Sequence, residues 1–187
     1  MKTLKVLSIS SEDYLVGEAV SPLKHEYRRG QVYAMSGAKK AHVLIASNLI
    51  ILLGNHLHDS PCMVFGSDMK VRLEPANCFY YPDVSVSCDE ADIKTKDVFI
   101  LAPLLVIEIL FPATEAFDRG EKFADYRTLP SLQEYVLVSQ TDRVIDCFRR
   151  TETGEWREQC YERHGTLVLI SVGLSCAVEE VYRKIAW

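Results

Sequence analysis

Between Lys39 and Leu57 the apolar positions recur every three or four residues. His42, Ile45, Leu49, Leu52 and His56 share one face, and Val43, Ile50, Leu53 and Leu57 widen it. The spacing predicts a long, well-buried helix. Before it, Ser10-Ser11-Glu12-Asp13-Tyr14 reads as a capped helix start with Ser10 or Ser11 as the cap. His25 to Met35 reads as a hairpin turning near Arg29-Gly30. After it come strand-like runs. Cys62 to Leu73 breaks at Gly66-Ser67. Tyr80 to Ser87 puts Val84 and Val86 on one face and Asp83, Ser85 and Ser87 on the other. Leu104 to Leu110 is almost wholly apolar, as in a central strand covered on both sides. Asp118 to Leu129 predicts a helix capped by Asp118, with Glu121 completing a capping box. Glu134 to Ser139 predicts another buried strand. Val144 to Arg149 and a strand near Tyr161 flank a turn at Gly154. Leu167–Ile170 and Cys176–Tyr182 follow. The order is helix, three strands, helix, strand, with additions at both ends, an α/β sandwich pattern.

At 187 residues the chain has the length of one domain, expected over 1–187, and can bury a core unaided. Its 48% hydrophobic and 25% charged content suits a globular protein. A net charge of −5 counts mildly against tight nonspecific DNA binding but leaves room for a local basic cleft. The six cysteines are scattered, with no metal or redox spacing. Met1 to Ile9 lacks the apolar core of a leader, and Val43–Leu57 is too short and polar to span a bilayer. The expectation is a cytoplasmic protein with reduced thiols and no membrane partner.

Glu108 lies within Leu104-Leu105-Val106-Ile107-Glu108-Ile109-Leu110. A carboxylate in a buried strand is costly unless paired, protonated or metal-bound. The plain alternative is a buried salt bridge or a strand end that reaches water. Asp83 follows Pro82 at a strand start, where turn or cap aspartates are common. Its weight comes from combination with Glu108, because two carboxylates from neighbouring strands can hold a hard divalent cation. On spacing alone Lys122 is an ordinary i,i+4 partner of Asp118. His42 reads as a satisfied helix histidine, Glu26 as a hairpin surface charge, Asp68 as a turn residue, and Arg149-Arg150 as solvated. No phosphate-cradling glycine loop, nucleophile elbow or His-Glu-x-x-His motif is present.

Several segments together resemble the Uma-two family. They are Leu23-Lys24-His25-Glu26-Tyr27; Val32-Tyr33-Ala34-Met35-Ser36-Gly37 followed by His42; Tyr80-Tyr81-Pro82-Asp83-Val84; Leu105 to Leu110; Asp118-Arg119-Gly120-Glu121-Lys122-Phe123; and Tyr126-Arg127 leading to Pro130-Ser131-Leu132-Gln133-Glu134-Tyr135. The resemblance implies a restriction-endonuclease-like fold of the PD-(D/E)XK superfamily, an αβββαβ core with an N-terminal helix and hairpin and C-terminal strands. By position it implies that Asp83 is the Asp of the PD element and Glu108 the acid on the next strand. Leu110 stands where the superfamily's lysine is usual, and the family moves that role to the following helix, making Lys122 the candidate. The Ile109 backbone carbonyl would complete a metal site, and Glu26 and His42 would border it. The family's Ser-Pro step is here Phe111-Pro112, which removes a hydroxyl near Glu108 and bears on activity rather than fold.

Three functions stay open on this reading. One is an endonuclease, a hydrolase of DNA phosphodiesters using Mg²⁺ or Mn²⁺, with a homodimer expected from the superfamily's habit of pairing to cut both strands. The second is a noncatalytic module for protein interaction or regulation. The third is a two-carboxylate sugar hydrolase, which leaves Lys122 without a role.

Overall fold

The computed structural model describes residues 8–187. Most of the Met1–Ile9 segment read for a leader lies outside the described residues.

Helix α1 (Ser11–Glu18) begins where Ser10 accepts the Asp13 N–H on its hydroxyl at 3.0 Å. Strands β1 (His25–Arg28) and β2 (Gln31–Ala34) form the hairpin. Both turn residues, Arg29 and Gly30, have positive φ (51° and 88°). That is the mirror-image turn whose twist matches two-residue hairpins. Helix α2 (Lys40–His56) follows, then β3 (Met63–Gly66), β4 (Lys70–Leu73), β5 (Cys78–Tyr80), β6 (Val84–Ser87), the short α3 (Glu90–Lys94), β7 (Phe99–Ile100) and β8 (Leu105–Leu110). A helical segment comes next: α4 (Glu115–Phe117), a π turn over Asp118–Lys122, and α5 (Phe123–Tyr126). Strands β9 (Glu134–Ser139), β10 (Val144–Arg150), β11 (Trp156–Glu162), β12 (Thr166–Leu169) and β13 (Leu174–Ala177) lead to α6 (Val178–Val181).

Two sheets form. The larger has the order β11-β10-β9-β8-β6-β3, and the smaller β2-β1-β5-β4-β7. In the larger, β8 and β9 run parallel and the other pairs antiparallel. Taken in chain order, α2, β3, β6, β8, α4–α5 and β9 are the expected αβββαβ core. Each of the first two strand-like runs divides between the sheets. The Cys62–Leu73 run sends Met63–Gly66 to the larger sheet and Lys70–Leu73 to the smaller, turning at Ser67-Asp68. The Tyr80–Ser87 run divides likewise at Tyr81-Pro82-Asp83, where Pro82 has no N–H to give a ladder. This crossing leaves Asp83 at the junction of the two sheets.

One face of the larger sheet carries Val84, Val86, Ile107, Ile109, Val136 and Val138, packed on Ile45, Leu49 and Leu53 of α2 and on Leu57, which caps it. The helix is buried on that face only. Val43 is half exposed, so the apolar band is narrower than the sequence suggests. The opposite face carries Val106, Leu110, Tyr135 and Leu137, which share a core with Phe123 and Tyr126 and with Val71, Leu73 and Tyr80 of the smaller sheet. Glu108, two residues from both Val106 and Leu110, points to this second face.

Three expectations are corrected. The helix predicted from Asp118 begins at Glu115, so Asp118 lies inside it, and Glu121 pairs with Arg28 instead of closing a capping box. Arg149 is not solvated, because its Nε meets the buried Glu134 at 2.7 Å. Cys62 and Cys88 are joined in a disulfide and are not reduced. The antiparallel register Met63↔Ser87 places these two residues opposite each other one step beyond the ladder. The remaining thiols are free, with Cys78, Cys147 and Cys176 buried and Cys160 exposed. No helix among the described residues is long and apolar enough to cross a membrane.

Candidate active site

Four elements converge where the sheets meet. Strand β8 supplies Glu108. The residue before β6 is Asp83, and continuing the register Val84↔Ile107 by one step sets it opposite Glu108. Strand β1 supplies Glu26. The π turn supplies Asp118 and Lys122, both buried. Single π turns inside α-helices occur frequently at functional sites.

Lys122 stands at the centre. Its Nζ lies 2.8 Å from Glu108 Oε1, 3.0 Å from Glu26 Oε1 and 3.8 Å from Asp118 Oδ1. The local i,i+4 partner is therefore the most distant of the three, and the contacts across the fold are tighter. The ammonium also sits 5.2 Å from the centre of the Tyr80 ring. Glu26 is no surface charge. It is partly buried, pairs with Lys122 and accepts the Tyr81 N–H at 3.2 Å. Asp118 is held by the Thr114 hydroxyl at 3.0 Å, and its backbone carbonyl accepts from the Tyr135 hydroxyl at 2.9 Å.

Asp83 is oriented from two sides. Its Oδ1 is 2.7 Å from His42 Nε2 in the first turn of α2, and its Oδ2 accepts the Ile109 N–H at 2.7 Å. His42 is thus a site residue and not merely a packed helix histidine. Ile109 is brought to Asp83 through its backbone. Sequence reasoning missed Asp118, which it read as a cap, and the aromatic wall of Tyr80, Tyr126 and Tyr135. Asp118's spacing from Lys122 was a signal, but one equally expected of any solvent-facing pair.

The electrostatics are unbalanced. Glu26, Glu108 and Asp118 surround one ammonium, and the Asp83 charge acts on Glu108 as well. Burial pushes the Glu108 carboxyl well above the usual carboxylate range; Lys122 opposes this, while Asp118, Asp83 and Glu26 add to it. Burial raises Asp118 as well, against the pull of Lys122. For Lys122 burial works against the charge, but Glu108 and Glu26 outweigh it and hold the ammonium protonated. Glu108 Oε1 is buried, and its one polar partner is the Lys122 ammonium at 2.8 Å. A buried carboxylate whose one cationic partner is shared with two other acids suits a hard cation. Among the described residues no three His, Cys, Asp or Glu side chains converge as a complete metal cage. The donor set instead fits a cation such as Mg²⁺, which takes one or two protein carboxylates and fills its remaining positions with water and substrate phosphate oxygens. Asp83 and Glu108 are the two that could hold it.

Comparison with known proteins agrees with this reading of the fold. The Uma2 family, described as "Putative restriction endonuclease", matches residues 12–179. Two uncharacterized proteins of Synechocystis sp. are similar over most of their length. One, slr1290, is 43% identical over 179 residues, covering 96% of this chain and 94% of its own. The other, sll1609, is 30% identical over 155 residues, covering 82% and 86%. A crystal structure described as "a putative nuclease belonging to DUF820" from Anabaena variabilis superposes with a TM-score of 0.75 at 16% identity, over 93% of this chain and 97% of that one. With its αβββαβ core and a family match spanning nearly the whole chain, this protein belongs to the Uma2 family and has the fold of that nuclease-like neighbour.

Proposed function

We propose that the chain is a metal-dependent endonuclease that hydrolyses DNA phosphodiester bonds at the Asp83–Glu108 site. The observation that carries this reading is the buried Glu108, whose one cationic partner, Lys122, is shared with Glu26 and Asp118, so that acids outnumber cations. Asp83 and Glu108 would hold Mg²⁺, with Mn²⁺ as a substitute, and the Ile109 carbonyl is a candidate further ligand. A bound divalent cation lowers the pKa of its water and neutralises charge that develops on phosphate. Glu26 and Asp118 keep Lys122 protonated and aimed at the reacting phosphate, where a fixed ammonium stabilises charge. His42 and the Ile109 N–H fix the Asp83 carboxylate before substrate arrives. The sugar-hydrolase alternative gives no role to Lys122, which stands at the centre of the acids.

A second reading has one observation in its favour. Both oxygens of Asp83 already have protein partners, and Lys122 closes on Glu108, as in a retired site kept for protein interaction or regulation. Calorimetry with Mg²⁺ and Mn²⁺ separates the two. The nuclease reading expects binding by the native chain, its loss in Asp83→Ala and Glu108→Ala, and metal-dependent nicking of plasmid DNA. A native chain that binds neither cation, even with DNA present, overturns it in favour of the interaction module. Two copies acting together on a duplex are the corollary, read by sedimentation equilibrium.

A further inference from the structure

A second cationic site stands away from the acid cluster. A cleft of about 380 Å³ opens between the end of α5 and the β10–β11 turn, lined by Ala124, Arg127, Thr128, Arg150, Gly154 and Trp156. It holds two arginines and no carboxylate, in a chain where acids outnumber bases 26 to 21. A cleft of about 530 Å³ near the C-terminus offers the contrast. It too contains two arginines and a tryptophan (Arg143, Arg163 and Trp187), but Asp142 and Glu162 line it as well and can balance the charge.

The Arg150 guanidinium is held in place before any ligand arrives. Arg150 donates from Nε to the Leu132 carbonyl at 2.9 Å, and from Nη2 to Leu129 and Arg127 carbonyls at 2.7 and 3.1 Å. Its guanidinium carbon lies 4.8 Å from the centre of the Trp156 ring. Arg127 lies over Phe123 at 5.5 Å. Capping the carbonyls at a helix end accounts for Arg150 alone. It does not explain a second arginine brought beside the first with no acid between them. Burial, and then the nearby Arg127 charge, push the Arg150 guanidinium below its ordinary value.

We propose that Arg127 and Arg150, over Trp156, form a phosphoryl-binding site separate from the Asp83–Glu108 centre. Arg150 keeps its Nη1 donors for a phosphate oxygen, Arg127 offers its whole planar fork, and the fixed position of Arg150 reduces the ordering cost of binding. Five residues of helix separate Arg127 from Lys122, which sets the two side chains about 140° apart around the axis. The phosphoryl group belongs either to a nucleic-acid backbone or to a small anion.

The chain has two tryptophans, so Trp187→Phe leaves Trp156 as the sole indole reporter. In that background Trp156 fluorescence is titrated with inorganic phosphate, and then with a duplex oligonucleotide without divalent cation at several salt concentrations. The expected result is a saturable change with phosphate, weakened about tenfold or more by Arg127→Gln. Arg163→Gln, in the acid-balanced cleft, leaves it unchanged. Arg127 is exposed, so its replacement does not threaten the fold. If the duplex is weakened by Arg127→Gln as well, with the salt slope falling by about 1, the ligand is a backbone phosphate. A response to phosphate without one to duplex assigns a small anion. Arg127→Gln titrating like its parent with both probes overturns the site. Neither metal nor cleavage enters the measurement, so failure of the nuclease reading would leave this result standing.

Discussion

Glu108 and Glu134 lie on adjacent parallel strands, and both carboxylates are buried, yet they are built in opposite ways. Glu134 is saturated. It accepts from Arg149 Nε at 2.7 Å, from the Ser171 N–H at 2.9 Å, from the Ile170 N–H at 3.1 Å, and from the Ser171 hydroxyl. These bonds tie the loop between β12 and β13 to the main sheet. Glu108 has one cation, and shares it with two other acids. Full satisfaction is what a purely structural buried charge requires, since an uncompensated one is expensive. Glu108 has fewer partners than Glu134, and on the proposed function that difference is what leaves it able to take a cation.

Breaking each carboxylate sharpens the contrast. The largest effect is expected on activity. Glu108→Gln should lower metal-dependent cleavage by about 10²–10³-fold or more, as removal of a transition-state charge stabiliser does. It should leave the melting temperature unchanged or raised, because it relieves crowding among like charges. A large fall in melting temperature would place Glu108 with the structural acids. Glu134→Ala should do the reverse. It strands Arg149 and two backbone N–H groups and should cost about 3–5 kcal/mol in urea unfolding, with little direct effect on metal affinity measured well below the transition. The smallest effect concerns Cys147, whose thiol lies 3.6 Å from Glu134. Burial, and then the Glu134 charge, push it up to about 12 from an ordinary 9.0. A raised folded pKa means that the native state keeps the proton longer. The contribution is therefore complete below pH 9 and is lost as pH rises from 9 toward 12. At pH 10 the loss should be about 1 kcal/mol, and Cys147→Ser should remove it from the pH dependence of the urea midpoint.

Much of the fold was legible because local signals agreed with the tertiary outcome. Ser10 at a helix start, Arg29-Gly30 between two short alternating runs, and the almost wholly apolar stretch ending at Leu110 each have few alternatives. The divided strands were less legible. Nothing in Phe65-Gly66-Ser67 or Tyr81-Pro82-Asp83 says that the chain continues into another sheet rather than around a bulge. Cysteines 26 residues apart carried no sign of their pairing, which follows from the β3–β6 register.

The candidate site divides along the same line. The sequence by itself determined that an acid lies in a central strand, that an aspartate follows Pro82, and that a lysine sits on the next helix. Those are properties of residue type and local spacing, and they persist in any fold that buries the apolar positions. Only the tertiary structure decided that Lys122 faces Glu108 and Glu26 rather than solvent, that His42 holds Asp83, and that Glu134 is saturated where Glu108 is not. These facts depend on which elements pack together. A carboxylate's energy is set by the charges and donors around it in space, and the chain brings those from positions many residues away.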